Sequence, residues 1–147
     1  MSEELDLYNR VRIENRTGDL QRKLWVWGPA VVLMVIIFGL SSIPGLHLPS
    51  GRLSDKSIHA LVYGLLGGLV LRAIGGGRWS GVTGPTVLVA ALISVVYGAA
   101  DELHQNFVIG RTAEVSDVMV DGVSATGTVG AIWAWSIIRK TWTGKKV

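Results

Sequence analysis

Ten polar side chains stand at the ends of three apolar segments in a chain of 147 residues. They are carboxylates, imidazoles, one amide and two cations, the groups that transfer protons in general acid–base catalysis and bind anions. The candidates for catalysis are His59, Asp101, Glu102, His104 and Asp117. The candidates for substrate binding are Asp55, Lys56, Gln105, Arg111 and Asp121. Because an imidazole titrates near neutrality, the two histidines are the expected proton carriers and the two cations the expected anion contacts.

Helical spacing arranges these residues in three stripes, because positions three or four apart share a helix face. The stripes are Asp55, His59 and Tyr63; Tyr97, Asp101, His104 and Gln105; and Asp117, Asp121, Ser124 and Thr128. A carboxylate at the centre of a membrane span costs about 2.5–3.5 kcal/mol, so ionisable residues there usually face the bundle interior and pair. We therefore expect the stripes to face one another, with Arg111 and Lys56 neutralising part of the acidic group.

The segments that must position these residues are four apolar blocks. Hydrophobic residues make up 49% of the chain, and the blocks run from about 24 to 43, 58 to 74, 83 to 100 and 118 to 138. A bilayer core about 30 Å thick needs about 20 helical residues, which the first block supplies without a charge. A cleaved signal peptide is the alternative for that block, but its apolar core would be shorter, about 7–15 residues. The sequence therefore predicts an all-α integral membrane four-helix bundle with short loops.

Lysine and arginine are distributed unequally between the two ends of the predicted spans. Eleven lie in the N-terminal tail, the second loop and the C-terminus, whereas the first and third loops contain Arg52, Lys56 and Arg111. The positive-inside rule places both termini of this multi-pass cell-membrane protein in the cytoplasm, and the candidate residues at the outer interface. We predict a cytoplasmic tail over residues 1–23, a membrane domain over 24–138 and a basic cytoplasmic tail over 139–147.

Composition disfavours several classes of site. The chain has no cysteine, so it forms no disulfide and has no thiolate ligand or nucleophile. The isoelectric point is near 9.5, but the basic residues flank apolar blocks, so we expect membrane lipids and no nucleic acid as partners. The sequence has no HExxH motif and no histidine pair at i and i+4, so we assign no metal ligands and no cofactor. The oligomeric state stays open.

Each candidate also has a purely structural interpretation. Asp55 and Asp117 precede apolar helices, where a carboxylate caps free N–H groups. Lys56 is equally explained as a cation at the interface, and His59 as a packing residue. The tyrosines of the stripes are expected to pack or to lie at the membrane interface. The prediction of a site therefore depends on the coincidence of the whole group.

The order and spacing of several short motifs resemble the VanZ-like family of small bacterial membrane proteins. The motifs are Ser41-Ser42, Asp55-Lys56 with His59, Asp101-Glu102 with His104-Gln105, Gly110-Arg111 and Asp117-Val118. The resemblance covers about residues 41–130 and implies a helical membrane domain, known by name from teicoplanin resistance. The resemblance also implies an enzyme that acts on lipid or lipid-linked headgroups. Its active site would be formed by the Asp, Glu, His and Arg residues of these motifs. Where the family tends to have Asn and then Gly in the fourth span, this chain has Asp121 and Ser124.

Three functions are compatible with these residues. The first is acid–base chemistry on a lipid or lipid-linked cell-envelope headgroup, in which Asp101 orients an imidazole or acts as base and Glu102 is the second acid. The second is non-catalytic binding of a cell-wall precursor or a glycopeptide antibiotic, which would confer resistance. The third, coupled transport, is disfavoured because no polar stripe crosses the whole bilayer.

Overall fold

The described residues of the chain form four α-helices. The computed structural model describes residues 2–45, 55–79 and 82–143. The helices are α1 (Ser2–Ser41), α2 (Asp55–Ile74), α3 (Gly84–Gln105) and α4 (Val115–Thr143). Every regular element within the described residues is helical, which confirms the predicted all-α class. The chain is an integral membrane four-helix protein.

Helix α1 is far longer than the predicted first span. It runs without a break over 40 residues, so the polar N-terminal segment is helical and continuous with the apolar block. Arg, Glu and Leu are the commonest residues of that segment, and all three favour the helix. Pro29 lies inside α1; such a proline is tolerated in a membrane helix where neighbours or side chains satisfy the freed carbonyl. The predicted domain boundaries at 23 and 138 coincide with no helix end, and as statements about membrane sides they stay predictions.

The other helices begin and end at recognisable local signals. α2 ends where Gly76 and Gly77 adopt φ values of +68° and +84°, a left-handed backbone that suits glycine. α3 begins after Thr83, whose backbone N–H donates to Oγ1 of Thr86 at 2.8 Å. α2 includes the polar turn from Asp55, and α3 continues past Ala100 to Gln105. Both extensions keep the polar stripes on helical backbone.

Small residues allow α4 to pack closely against α2, the most extensive helix pair in the structure. A Cβ atom on Gly67 of α2 would lie 2.8 Å from the carbonyl oxygen of Ala125 and 3.2 Å from Cγ2 of Val129. The surrounding core includes the fully buried Leu66 and Leu71. Close backbone approach of this kind is how membrane helices gain packing energy without water to drive association.

Three helices are long and apolar enough to cross a bilayer within the described residues. These spans are Arg12–Ser41, Lys56–Ile74 and Gly84–Gln105. All four helices also expose large apolar side chains on the outside of the bundle, such as Val35, Leu61, Leu92 and Val123. An exposed apolar surface of this extent fits lipid and not water. α4 packs against α2 and α3 and completes the four-helix bundle, and that it also spans the membrane stays a prediction.

Candidate functional site

The polar stripes meet at one end of the bundle. The C-terminal ends of α1 and α3 lie there together with the N-terminal turns of α2 and α4, as shown by contacts between Ser41 and Asp101 and between His59 and Asp121. We call the group at this end the polar cluster. Its members are Ser41, His59, Tyr63, Asp101, Glu102, Gln105 and Asp121. All four helices contribute to it.

His59 and Asp121 form the direct link between α2 and α4 in the polar cluster. Nδ1 of His59 lies 3.0 Å from Oδ1 of Asp121. The imidazole is 16% exposed and the carboxylate 1% exposed. A hydrogen bond to one ring nitrogen fixes the tautomer and orientation of an imidazole, leaving the other nitrogen for chemistry. The pair therefore has the arrangement of a general base held by a buried carboxylate.

Glu102 lies beside this pair on α3. Oxygen or nitrogen ligand atoms of His59, Glu102 and Asp121 all lie within 4.8 Å of one another. One oxygen of Glu102 accepts from Nε2 of Gln105 at 3.1 Å, and the other accepts from the backbone N–H of Glu114 at 3.4 Å. These two donors hold the carboxylate in place at the start of α4. The three residues thus form a compact imidazole–dicarboxylate group.

Asp101 lies in the cluster but away from the imidazole. Its carboxylate accepts from Oγ of Ser41 at 2.6 Å, from the hydroxyl of Tyr63 at 3.3 Å and from Nε2 of Gln105 at 3.2 Å. These donors come from α1, α2 and α3, and the side chain is 4% exposed. The expectation that Asp101 orients an imidazole is therefore wrong: Asp121 does so, and Asp101 ties three helices together.

A glycine on α3 makes room for this arrangement. A Cβ atom on Gly98 would lie 3.1 Å from Cε1 of Tyr63, 3.3 Å from Cβ of Asp121 and 3.5 Å from its Oδ2. Gly98 and Glu102 are four residues apart and share a helix face. Oδ2 of Asp121 is buried and has no hydrogen-bond partner among the described residues. Asp121 therefore turns one unsatisfied oxygen toward the face of α3 that presents Glu102.

His104 is directed away from the acidic residues, although it was a catalytic candidate. Its Nε2 lies 3.0 Å from Oγ of Ser42, and its ring stacks on Phe38 with centroids 4.5 Å apart. Phe38 lies in the last turn of α1, and Ser42 is the residue directly after the helix. His104 is half-buried at the α1–α3 contact, so the structure gives it a packing and hydrogen-bonding role at the edge of the cluster.

Arg111 is anchored at the same end of the bundle, but to a backbone oxygen. Its Nη2 donates to the carbonyl of Leu40 at 3.2 Å, and its Nε is buried without a partner among the described residues. The preceding Gly110 has φ +78°, and a Cβ atom on it would lie 3.3 Å from the backbone nitrogen of Gly45. Lys56 is exposed. Neither cation forms an ion pair with a carboxylate among the described residues, and the expectation that the two cations neutralise part of the acidic group stays a prediction.

The remaining candidates lie at the starts of α2 and α4. Asp117 is half-buried, one turn before Asp121 on the same face, and its Oδ1 accepts weakly from Ser116 at 3.5 Å. Asp55 is the first residue of α2, but its side chain lies outside the described residues. Gln105 is 6% exposed and bridges the two carboxylates of Asp101 and Glu102.

Two members of the cluster were not among the predicted site residues. Ser41 was noted only as the end of the first span, and Tyr63 only as a packing residue of a stripe. Both are nearly fully buried, and their hydroxyls meet on Asp101. The sequence signal for Tyr63 was its place one turn after His59. Ser41 was marked only as part of a family motif, because helical spacing gives no indication of a partner 60 residues away.

Comparison with known proteins gave one match. A family model described as VanZ/LLP1 matches residues 26–140. No curated protein and no solved structure is a significant match. The matched range begins in α1, ends in α4 and includes every residue of the polar cluster.

Proposed function

Because the chain belongs to the VanZ/LLP1 family, we propose that its polar cluster acts on the headgroup of a lipid or a lipid-linked cell-envelope intermediate. The reaction is acid–base catalysis of hydrolysis or headgroup transfer at the outer face of the cell membrane. His59 is the proton acceptor, Asp121 holds its ring, and Glu102 is the second acid. Both reaction types need the same proton transfers, so one set of residues serves either.

The observation that carries this proposal is the contact of His59 with Asp121 beside Glu102. Nδ1 of His59 and Oδ1 of Asp121 are 3.0 Å apart, and one ligand atom from each of the three side chains lies within 4.8 Å of the other two. Of the three, His59 has the greatest exposure. A proton taken from a water or alcohol nucleophile can therefore reach the imidazole, while its partner carboxylate stays shielded from solvent. General acid–base groups placed in this way contribute about 10²–10⁴-fold to rate.

The position of the polar cluster at one end of the helices supports a lipid headgroup as the substrate. The polar cluster lies at the end of the bundle where α1 and α3 finish, so it meets the bilayer near the level of headgroups. Arg111 lies at the same end, and its guanidinium has donors beyond the one that contacts Leu40. A guanidinium binds phosphate or carboxylate oxygens in a fork geometry. An anionic headgroup between Arg111 and His59 fits this distribution of charge.

The assignment to the outer face depends on the distribution of basic residues. Only three of the 14 lysines and arginines lie in the first and third loops predicted from the sequence. Loops on the cytoplasmic side carry the excess of positive charge in membrane proteins. This supports a cluster that opens outward, where cell-wall precursors and lipid headgroups are exposed.

Turnover by the purified protein tests the proposal. The protein is reconstituted in nanodiscs with headgroup-labelled phospholipids, or with a polyprenyl-phosphate-linked sugar, and products are separated by chromatography. We expect release or transfer of label by the wild type and a loss of at least about 100-fold in His59→Gln and Asp121→Asn. Equal turnover in the wild type and both variants would remove the proposal.

Non-catalytic binding is the second candidate, and one observation favours it. Glu102 and Asp121 are 3% and 1% exposed, so a ligand could touch His59 and the rim of the cluster without reaching either carboxylate. A cell-wall precursor or glycopeptide antibiotic held there would need affinity but no proton transfer. Direct binding that survives His59→Gln, together with an unchanged resistance phenotype, would favour this function over catalysis.

A further inference from the structure

The polar cluster contains more buried carboxylates than nearby positive charges can neutralise. Asp101, Glu102 and Asp121 are each less than 5% exposed. Among the described residues, His59 is the one basic side chain within ion-pair distance of them, and it supplies a positive charge only when it is protonated. Isolated buried carboxylates are costly, because they lose hydration without gaining an opposite charge. The cluster therefore favours a further positive charge.

The oxygen atoms are not equally satisfied. Asp101 accepts three hydrogen bonds, and Glu102 accepts one on each oxygen. Oδ2 of Asp121 accepts none, although it is fully buried. Buried polar atoms without a partner are rare in native structures, and an ion is one of the explanations for them. The unsatisfied atom belongs to the imidazole–dicarboxylate group.

From these observations we propose that His59, Glu102 and Asp121 bind one divalent transition-metal ion, Zn²⁺ or Mn²⁺. Their ligand atoms lie within 4.8 Å of one another, so small side-chain shifts bring them to the about 2.0–2.2 Å coordination distances of these ions. One imidazole with two carboxylates is a mixed nitrogen and oxygen donor set, which suits Zn²⁺ and Mn²⁺ better than the all-oxygen sets of Mg²⁺ and Ca²⁺.

The surroundings provide the outer shell that a metal site requires. Gln105 and the backbone N–H of Glu114 hold the Glu102 carboxylate, and Gly98 leaves space beside Oδ2 of Asp121. Such outer contacts orient metal ligands and typically affect affinity about 10–100-fold. Three protein ligands leave coordination positions open for water or substrate, as in catalytic metal sites. The partial exposure of His59 gives an ion a path from the aqueous side.

Sequence spacing alone gives no sign of this site. The three ligands come from α2, α3 and α4, and no two of them lie within one helical turn in sequence. Motif searches for metal sites depend on local pairs such as two histidines at i and i+4. A site built from one residue on each of three helices becomes visible only in the folded chain.

Metal stoichiometry of the purified protein tests the proposal without any assay of turnover. The protein is purified through a histidine-free tag, stripped with chelator, and placed in nanodiscs of phosphatidylcholine. Zn²⁺ or Mn²⁺ is then added, and bound metal is measured by mass spectrometry against empty nanodiscs. We expect one equivalent for the wild type. Fewer than about 0.1 equivalents of both ions would overturn the proposal.

Matched variants locate the ion. We expect His59→Gln, Glu102→Gln and Asp121→Asn each to weaken metal affinity at least about 10-fold. Loss of a residue that only supports a metal ligand already lowers affinity by about that factor, and loss of the ligand itself should cost at least as much. His104→Gln is the histidine control and Glu114→Gln the carboxylate control, and both should bind like the wild type. Wild-type affinity in all three ligand variants would overturn the assignment.

A spectroscopic measurement covers the case in which a ligand variant fails to fold. Pulsed electron paramagnetic resonance of the Mn²⁺-loaded wild type, with and without ¹⁵N-histidine, should show coupling to one histidine nitrogen. Absence of that coupling would overturn the site. The inference is also separable from the proposed function: bound metal without turnover contradicts only the reaction, and turnover by a protein that takes up neither ion contradicts only the metal site.

Discussion

Oδ1 of Asp121 lies 3.0 Å from Nδ1 of His59, across the interface between α2 and α4. The two residues are 62 positions apart; His59 lies about one turn inside α2 and Asp121 nearly two turns inside α4. Asp121 is 1% exposed, whereas the ring of His59 keeps partial contact with the outside of the bundle. This asymmetry gives one partner the properties of an orienting carboxylate and the other those of a proton carrier.

Packing of α2 against α4 should depend on the small residue at position 67. We expect Gly67→Ala to destabilise the protein by about 1–3 kcal/mol, because the added methyl would lie 2.8 Å from a backbone oxygen that cannot rotate away. Gly127→Ala on α4 is the matched control, since nothing lies within 4 Å of its Cβ position. Thermal unfolding in detergent measures both variants. Equal melting temperatures would contradict the close contact.

The hydrogen bond from Ser41 to the Asp101 carboxylate should contribute to the unfolding free energy of the protein. Ser41→Ala removes a 2.6 Å hydrogen bond to a buried carboxylate, which we expect to cost about 1–3 kcal/mol. Ser94 is the control: it is equally buried, but its hydroxyl donates only to the Ala90 carbonyl of its own helix. Ser94→Ala should therefore change the unfolding free energy by less than Ser41→Ala. The reverse order would show that the Ser41 contact is not important for stability.

The structure and sequence together separate what local patterns can predict from what they cannot. Hydrophobic blocks and helical spacing predicted four helices and the meeting of their polar stripes at one end, because both depend on neighbouring positions. The extension of α3 to Gln105 follows from the same spacing. The sequence left the N-terminal segment as a short tail or an interfacial helix, so its continuity with the apolar part of α1 was not predicted, although most of its charged residues favour helix.

The contacts inside the site could not be predicted in the same way. Each stripe faces two others, and spacing along one helix does not determine which neighbour a side chain meets. Asp121 rather than Asp101 therefore holds His59, and Arg111 contacts the Leu40 carbonyl instead of a carboxylate. These outcomes depend on how far each helix is rotated and on the path of the loop at Gly110, where φ is +78°.

The predicted orientation can be measured directly, because the chain has no native cysteine. Thr112→Cys places one thiol in the connection beside the polar cluster, and Arg78→Cys places one at the opposite end. We expect a membrane-impermeant maleimide to label Thr112→Cys in intact cells, and to label Arg78→Cys only after permeabilisation. The opposite pattern would move the polar cluster to the cytoplasmic face.

The most direct test of the central claim is a double-mutant cycle on His59 and Asp121, read as the rate of lipid-headgroup turnover. If the pair acts as one unit, His59→Gln and Asp121→Asn each lower kcat at least about 100-fold, and the double variant is no slower than the slower single variant. Losses that multiply in the double variant would show that the residues act separately. Wild-type turnover in Asp121→Asn would contradict the account itself.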